Sequence, residues 1–505
     1  MNHNLYTLLN PIQSDRQKTF LTTEDYTSIN YGQIDRLAAL IAYNLNQLGV
    51  KKGDRAIAVV NKSVEALALY LACLRAGIVF VPLNPAFTAN ELEYFFNNAE
   101  PKIVVGERTN FDLISSVAAR CDVKTLQTID PEDHNSLVAT TESFDFDSQT
   151  VAEVAKDDPA VMIYTSGTTG KPKGAVLSHH NLTVNGRDLK NHWGFSSADV
   201  LLHSLPIFHV HGLFFATHCV MLSNASMIFL PKFDAAKIVQ HLERATVMMG
   251  VPTYYTRLLG HPEFDRKLCS RMRLFISGSA PLRQDTFAEF EARTGLKILE
   301  RYGMSETGIN TSNPLEGERR LGTVGLSLGK SELRIVNNAD QPLPSDEIGQ
   351  VQVKGENVFQ GYWQMPEKTK AEFTQDGFFR TGDLGFLSSD NYLTLVGRAK
   401  DLIISGGMNV YPKEVENCLN QISGVVESAV IGLPDPDFGE AVTAVLVVDE
   451  NFQLSRQELK LLLKPELANY KIPKQTFIVE NLPRNAMGKI QKNKLRESSG
   501  LTPLQ

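Results

Sequence analysis

Between residues 30 and 260, short apolar runs alternate with longer segments whose apolar positions recur at helical spacing. AIAVV (56–60), KIVVG (102–106) and SMIFL (226–230) read as buried strands, and Tyr31–Leu48 and Val64–Ala76 as helices. Parallel strands need a crossover between them, usually a helix, so this alternation predicts an α/β domain with a largely parallel sheet. The strongest apolar segment, Ala66–Pro82, contains Arg75 and Gly77. It reads as a helix followed by a buried strand, Ile78–Val81, and falls short of the roughly 20 apolar residues that span a bilayer.

The pattern changes at 320–397, where ELRIV, GQVQVKG and NYLTLVG are separated by Gly, Asn and Asp turns. That spacing predicts a small antiparallel sheet or barrel. Beyond it, Lys413–Asn420 reads as a helix, 426–432 and 442–448 as strands and Ser455–Leu463 as a helix, forming a separate α+β unit. The expected division is a large N-terminal domain over 1–397, a hinge over 398–401 and a small C-terminal lid over 402–505. Within the first domain, the period-two spacing of LPIFHVHGLF (205–214) predicts an extended strand with His209 and His211 on one side. GVPTYYTRLL begins a helix with Pro252 near its first position, which puts Thr253 and Arg257 on one face.

A chain of 505 residues exceeds one compact core, in keeping with at least two domains. Its net charge of −7 argues against nucleic acid or an anionic membrane as the main partner. The five cysteines lack metal-ligand spacing and read as reduced thiols, with no zinc site or disulfide framework. The start, MNHNLYTLLNPIQSDRQ, has neither the basic and apolar regions of a secretory signal nor the arginine-rich look of a transit peptide. A cytoplasmic enzyme is expected.

The most informative segment is YTSGTTGKPKGA, 164–175. Gly167, Gly170 and Gly174 let the backbone approach an anion closely, and Thr165, Ser166, Thr168 and Thr169 add hydroxyl donors. Lys171 and Lys173 add charge. The spacing is not that of the common P-loop, since two residues separate Gly167 from Gly170 and Pro172 follows Lys171. Four further blocks follow in order: RYGMSETG (301–308), RTGDLG (380–385), GRAKDLIISGGMNVYPKEVE (397–416) and PRNAMGKIQKNKL (483–495).

With these blocks the chain resembles the adenylate-forming superfamily of acyl-CoA synthetases, luciferases and peptide-synthetase adenylation domains over nearly all its length. The resemblance implies that a carboxylate attacks the α-phosphorus of ATP, pyrophosphate leaves, and a thiol takes the acyl group from the adenylate. Positioning and charge neutralisation would supply most of the catalysis. It also implies a role for each matching residue. Glu306, with Thr165, would hold Mg²⁺. Gly278, Ser279, Ala280, Arg301, Tyr302, Gly303 and Ser305 would enclose the nucleotide beside the 164–175 loop. Asp383 would accept from the ribose hydroxyls and Arg398 would reach the ribose and phosphate region. Lys489 would bridge the substrate carboxylate and the α-phosphate. Gly406 and Gly407 would border a channel for the pantetheine arm of coenzyme A, with Lys400 as the pivot that lets one lid present two faces.

The acid is the open part of this reading. The resemblance places the acyl site beside 205–214, with His209, Arg257 and Ser277 as candidate substrate contacts and His209 also a candidate catalytic group. An arginine on a helix with Tyr254, Tyr255, Leu258 and Leu259 is either a rim charge or an anion receptor. A buried cation beside a fatty-acyl tunnel would be costly without a partner, which a second carboxylate would supply. GINTSNPLEGERRLGTVG (308–325), IFHVHGLF and VPTYYTRLL are similar to malonyl-CoA synthetases, which implies malonate, with methylmalonate its nearest neighbour. A fatty-acyl-CoA synthetase and a carrier-loading adenylation enzyme stand as alternatives.

Overall fold

The computed structural model describes residues 2–9, 15–165, 172–485, 488–497 and 502–504. Two compact units emerge, one built from 1–332 with 353–377 and the other from 333–352 with 378–505.

The first unit holds two sheets. One has the order Gly361–Tyr362, Lys173–Ser178, Pro159–Thr165, Val79–Pro82, Arg55–Ala58, Ile103–Gly106, Leu126–Thr128. Its last five strands run parallel, and Lys173–Ser178 is antiparallel to both neighbours. The other sheet has a parallel centre of Leu299–Met304, Leu274–Ser277, Val247–Gly250, Val200–His203, Ser226–Phe229 and Thr19–Thr23. Antiparallel strands Gly308–Ser312 and Ser28–Asn30 continue it on either side.

The helices between these strands start and stop where local chemistry dictates. Tyr31–Gln47 begins at Asn30, whose side chain accepts from the Gln33 amide while Gln33 bonds back to Asn30, a reciprocal cap. Val64–Ala76 is capped by Ser63 and ends at Gly77 with φ 68, a left-handed turn that glycine adopts at little cost. The two helices are tied by the buried pair Arg75–Asp35 at 3.0 Å. Below the second sheet, Tyr255, Phe264, Phe275 and Phe290 are buried and packed largely edge to face.

The expectation of an extended strand over 205–214 is overturned. Residues 206–209 bend, and His211–Ala216 form a π-helix that runs into the helix Thr217–Leu222. Every residue from Val210 to Met221 is buried, so the apolar run carries no period that would favour a strand over a helix. Backbone chemistry decides it. Pro206 can donate no ladder bond, and the chain folds back so tightly that a Cβ on Gly212 would fall 2.2 Å from the Pro206 carbonyl oxygen. The Leu213 amide then donates to the His209 carbonyl at 3.0 Å.

In the second unit, residues 333–336, 349–352, 379–387 and 393–398 belong to the strands of a four-stranded sheet. A further sheet combines Val425–Asp435 and Gly439–Val448 with shorter strands, covered by Pro412–Leu419 and Arg456–Leu463 over a core of Val415, Leu419, Val430, Val442 and Leu459. Among the described residues no helix is long and apolar enough to cross a membrane, and all five cysteines are free thiols.

Candidate active site

In the first unit the site is built around one carboxylate. Strands Pro159–Thr165 and Lys173–Ser178 pair antiparallel with Thr165 opposite Lys173, so the segment 166–171 joins their ends. Ser166, Gly167, Thr168, Thr169, Gly170 and Lys171 lie outside the described residues. Just past it, the Tyr94 hydroxyl donates to the Pro172 carbonyl at 2.6 Å and anchors the segment's exit. Glu306, only 5% exposed, follows the strand Leu299–Met304, and its Oε1 accepts from Thr165 Oγ1 at 3.3 Å and from the Tyr362 hydroxyl at 3.0 Å. Both bonds fall on one oxygen, which leaves Oε2 for another partner. Among the described residues no cluster of three or more His, Cys, Asp or Glu could cage a metal. A single carboxylate beside a hydroxyl fits Mg²⁺, which keeps waters and substrate phosphates as its other ligands.

Tyr362 escapes the motif reading, although it belongs to the short strand Gly361–Tyr362 against Lys173–Ser178. The same loop grips Glu306 twice, because the Phe359 amide donates to the Glu306 carbonyl at 2.7 Å. Lys173 is also placed differently from a free phosphate ligand. It is 5% exposed, with its ammonium 4.1 Å above the Tyr362 ring and 3.9 Å from Glu372. Most of its charge is therefore answered from within the chain.

The turn after Leu274–Ser277 carries Gly278, Ser279 and Ala280. Arg301, in the next strand, packs against it: a Cβ on Gly278 would lie 2.4 Å from the guanidinium carbon. Burial pushes the Arg301 guanidinium down to about 9. Tyr302 is buried, while Gly303 and Ser305 are half-buried where the chain leaves that strand. Ser279 Oγ lies 3.4 Å from His211 Nδ1. Burial, followed by the Arg301 charge, holds His211 far below the usual histidine range, so its ring is neutral. His209, by contrast, is half-buried in the bend before it.

Helix Pro252–Leu259 begins with Pro252 at its first turn, as expected, but Arg257 lies on its exposed side. Among the described residues Arg257 makes no ion pair or hydrogen bond; its charge is felt by Tyr254, whose hydroxyl burial pushes up to about 12. Of the two readings open at this position, the exposure of Arg257 favours a rim charge over a buried anion receptor. The outward face of an eight-residue amphipathic helix carries it, while Tyr255, Leu258 and Leu259 take the core side.

In the second unit, Asp383 and Arg398 sit opposite each other on paired strands and form an ion pair at 2.7 Å. Arg398 also donates to the Thr381 carbonyl at 3.1 Å. Lys489 lies in a loop closed by Asn485, whose amide donates to the Lys489 carbonyl at 2.9 Å and whose side chain accepts from the Lys489 amide at 3.0 Å. Its side chain keeps exposed surface, yet desolvation, then Arg398 and, more weakly, Lys400 push its ammonium below the usual lysine range against the pull of Asp383 and Asp401. The structure therefore gathers Lys489, Asp383, Arg398 and Lys400, residues from three separate motif blocks. Lys400 itself sits in the turn Ala399–Asp401. Gly406 and Gly407 turn the hairpin between Ile403–Ser405 and Met408–Val410 with φ 59 and 77, a two-residue turn in which both φ are positive.

A two-sheet α/β unit in which Thr165, at the entry to the glycine-rich segment, meets a buried glutamate, and an α+β unit carrying a lysine beside an Asp–Arg pair, fit a nucleotide-dependent ligase. The chain belongs to the AMP-binding enzyme family, whose model matches residues 11–363, and the family's C-terminal domain model matches 414–489. It is 35% identical over 482 residues to a malonate–CoA ligase of Arabidopsis thaliana, covering 89% of this chain and 79% of the relative. A long-chain-fatty-acid–CoA ligase of Bacillus subtilis is 32% identical, with 92% and 88% covered. Among solved structures, ATP-bound MatB from Rhodopseudomonas palustris superposes with a TM-score of 0.94 at 48% identity, covering 98% of this chain and 99% of that one.

Proposed function

We propose that the protein ligates malonate, or a close homologue such as methylmalonate, to coenzyme A at the expense of ATP, through an acyl-adenylate, releasing AMP and pyrophosphate, and that it acts in the cytoplasm. The observation that carries the ATP chemistry is the Thr165–Glu306 pair at the end of the glycine-rich loop. The malonate assignment is supported by the likeness to a malonate–CoA ligase.

In this reading Glu306 and Thr165 would hold Mg²⁺, which would supply neutralising charge to the ATP phosphates. The 164–173 segment wraps those phosphates, and Gly278, Ser279, Ala280, Tyr302, Gly303 and Ser305 form the walls of the nucleotide site. Asp383, already oriented by Arg398, accepts from the ribose. Lys489 neutralises charge as the carboxylate attacks the α-phosphorus, an interaction that counts because it strengthens in the transition state. Ser277 and His209 line the acid's approach, and Arg257 meets the incoming dianion at the rim. The Gly406–Gly407 hairpin borders the thiol's route, with Lys400 as the pivot between half-reactions. Pyrophosphate release dependent on malonate and ATP, followed by thioester formation on adding coenzyme A, is the direct test. Release that depends on long-chain acids and not on malonate would instead select the fatty-acyl reading.

A further inference from the structure

The turn that carries His209 is closed at its base by a chain of hydrogen bonds that begins in the other sheet of the first unit. His203, 1% exposed, ends the strand Val200–His203, and its Nε2 lies 2.9 Å from the Gly212 carbonyl, nine residues further along. A carbonyl only accepts, so Nε2 carries the proton. Burial, with the Lys62 charge behind it, holds the ring neutral. Nδ1 is therefore an acceptor, and Lys62 Nζ stands 2.9 Å from it. The same Nζ donates to the His203 carbonyl at 2.8 Å and sits 4.2 Å above the Phe229 ring.

Lys62 enters from a different part of the unit. It follows the strand Arg55–Ala58 of one sheet and precedes Ser63, the cap of helix Val64–Ala76, whereas His203 and Phe229 belong to the other sheet. Among the described residues no carboxylate offsets its charge, and desolvation lowers its ammonium well below the usual lysine range. A lysine kept in such a place without a counter-ion is costly. A position that needed only packing over Phe229 would be filled better by an apolar side chain.

What the lysine supplies is orientation. Gly212 lies in the first turn of the π-helix His211–Ala216, where its carbonyl also accepts from Thr217 Oγ1 at 3.2 Å. A π turn is wider than an α-helical one and recurs at functional sites. The bend over 206–209 leads into it and ends on His209. We infer that Lys62 is a positioning residue for the acid side of the reaction: by fixing the His203 tautomer it holds the Gly212 carbonyl, and with it the fold-back turn that presents His209. This rests on the reading above in which His209 lines the acid's approach.

The test measures steady-state pyrophosphate release by the full-length enzyme, with malonate and ATP varied in turn, for Lys62→Met, His203→Phe, the double variant and His203→Gln. Lys62→Met removes the charge and keeps an unbranched chain over Phe229. It should raise KM for malonate by roughly tenfold to a hundredfold, the range for losing a hydrogen bond to a charged group, while KM for ATP stays within about twofold. His203→Phe should do the same, and the double variant should lose no more than either single one, because both break one relay. His203→Gln keeps a donor for Gly212 and an acceptor for Lys62, so it should recover most of the malonate affinity. Should Lys62→Met not fold, His203→Gln against His203→Phe decides the matter. KM raised equally for both substrates, additive losses in the double variant, or a His203→Gln variant no better than His203→Phe would overturn the positioning role. A wild-type enzyme inactive on malonate would overturn the malonate reading instead, and the same comparison on the acid it does use would then decide the relay.

Discussion

Tyr362 and Lys489 show how single side chains prepare the site. Tyr362 holds Glu306 Oε1 from one side while Thr165 holds it from the other, which fixes the carboxylate in the orientation a cation would need. Hydrogen bonds to charged groups are worth about 1.5–3 kcal/mol, so Tyr362→Phe should raise the Mg²⁺ concentration for half-maximal pyrophosphate release by roughly tenfold or more. An unchanged Mg²⁺ dependence would show that Glu306 needs no such support. Lys489→Ala should abolish malonate-dependent pyrophosphate release and spare the conversion of supplied malonyl-adenylate to thioester; equal loss in both assays would end the assignment. The lowered Lys489 ammonium adds a pH signature. The charged form is required, it is present below the folded pKa and lost above it, and that pKa lies below an ordinary lysine's. The alkaline limb of adenylation should therefore fall earlier than for a free lysine, and Lys489→Arg should remove that limb from the accessible range. Arg257 is exposed, and an exposed ion pair contributes about 0–1 kcal/mol, so Arg257→Ala should cost malonate turnover no more than about fivefold. A hundredfold loss would assign the anion-receptor role to it.

At the scale of elements, legibility followed the strength of local signals. Val64–Ala76 could be read to the residue because Ser63 and Gly77 mark both ends, and Ser455 marks the start of Arg456–Leu463 in the same way. The 205–216 segment could not, because an unbroken apolar run has no period to read and the deciding contact, Gly212 on the Pro206 carbonyl, depends on the fold-back itself. The site was legible in blocks but not in its cross-links. Nothing local ties Tyr362 to Glu306, and only the position of Gly361-Tyr362 beside the Lys173–Ser178 strand reveals the pairing. Whether Arg257 was a rim charge or an anion receptor stayed open because its helix neighbours are apolar, whereas its own angular position faces outward. Gly212→Ala should destabilise the first unit by about 1–3 kcal/mol through overpacking, read as a lower thermal midpoint; an unaltered midpoint would mean that the turn can relax. Lys400→Pro, which fixes φ and removes a donor in the Ala399–Asp401 turn, should retain one half-reaction and lose the other. Unaffected steady-state turnover would place the pivot elsewhere.

For the whole molecule, the family and the ligase chemistry follow from the blocks and their matches along nearly the full chain, while the malonate reading rests on likeness to particular relatives. Arg301 is buried with Nε and Nη2 unpartnered among the described residues, Arg257 is exposed, and relatives named for malonate and for long-chain acids are both similar to this chain. Pyrophosphate release by the purified full-length enzyme, measured with malonate, acetate and octanoate at equal concentration in the presence of ATP, Mg²⁺ and coenzyme A, tests the malonate reading most directly. The account predicts that malonate gives the highest kcat/KM, with acetate and octanoate both at least roughly a hundredfold lower, as expected when a buried donor is left unpaired. Octanoate turned over as well as malonate, or better, would contradict it.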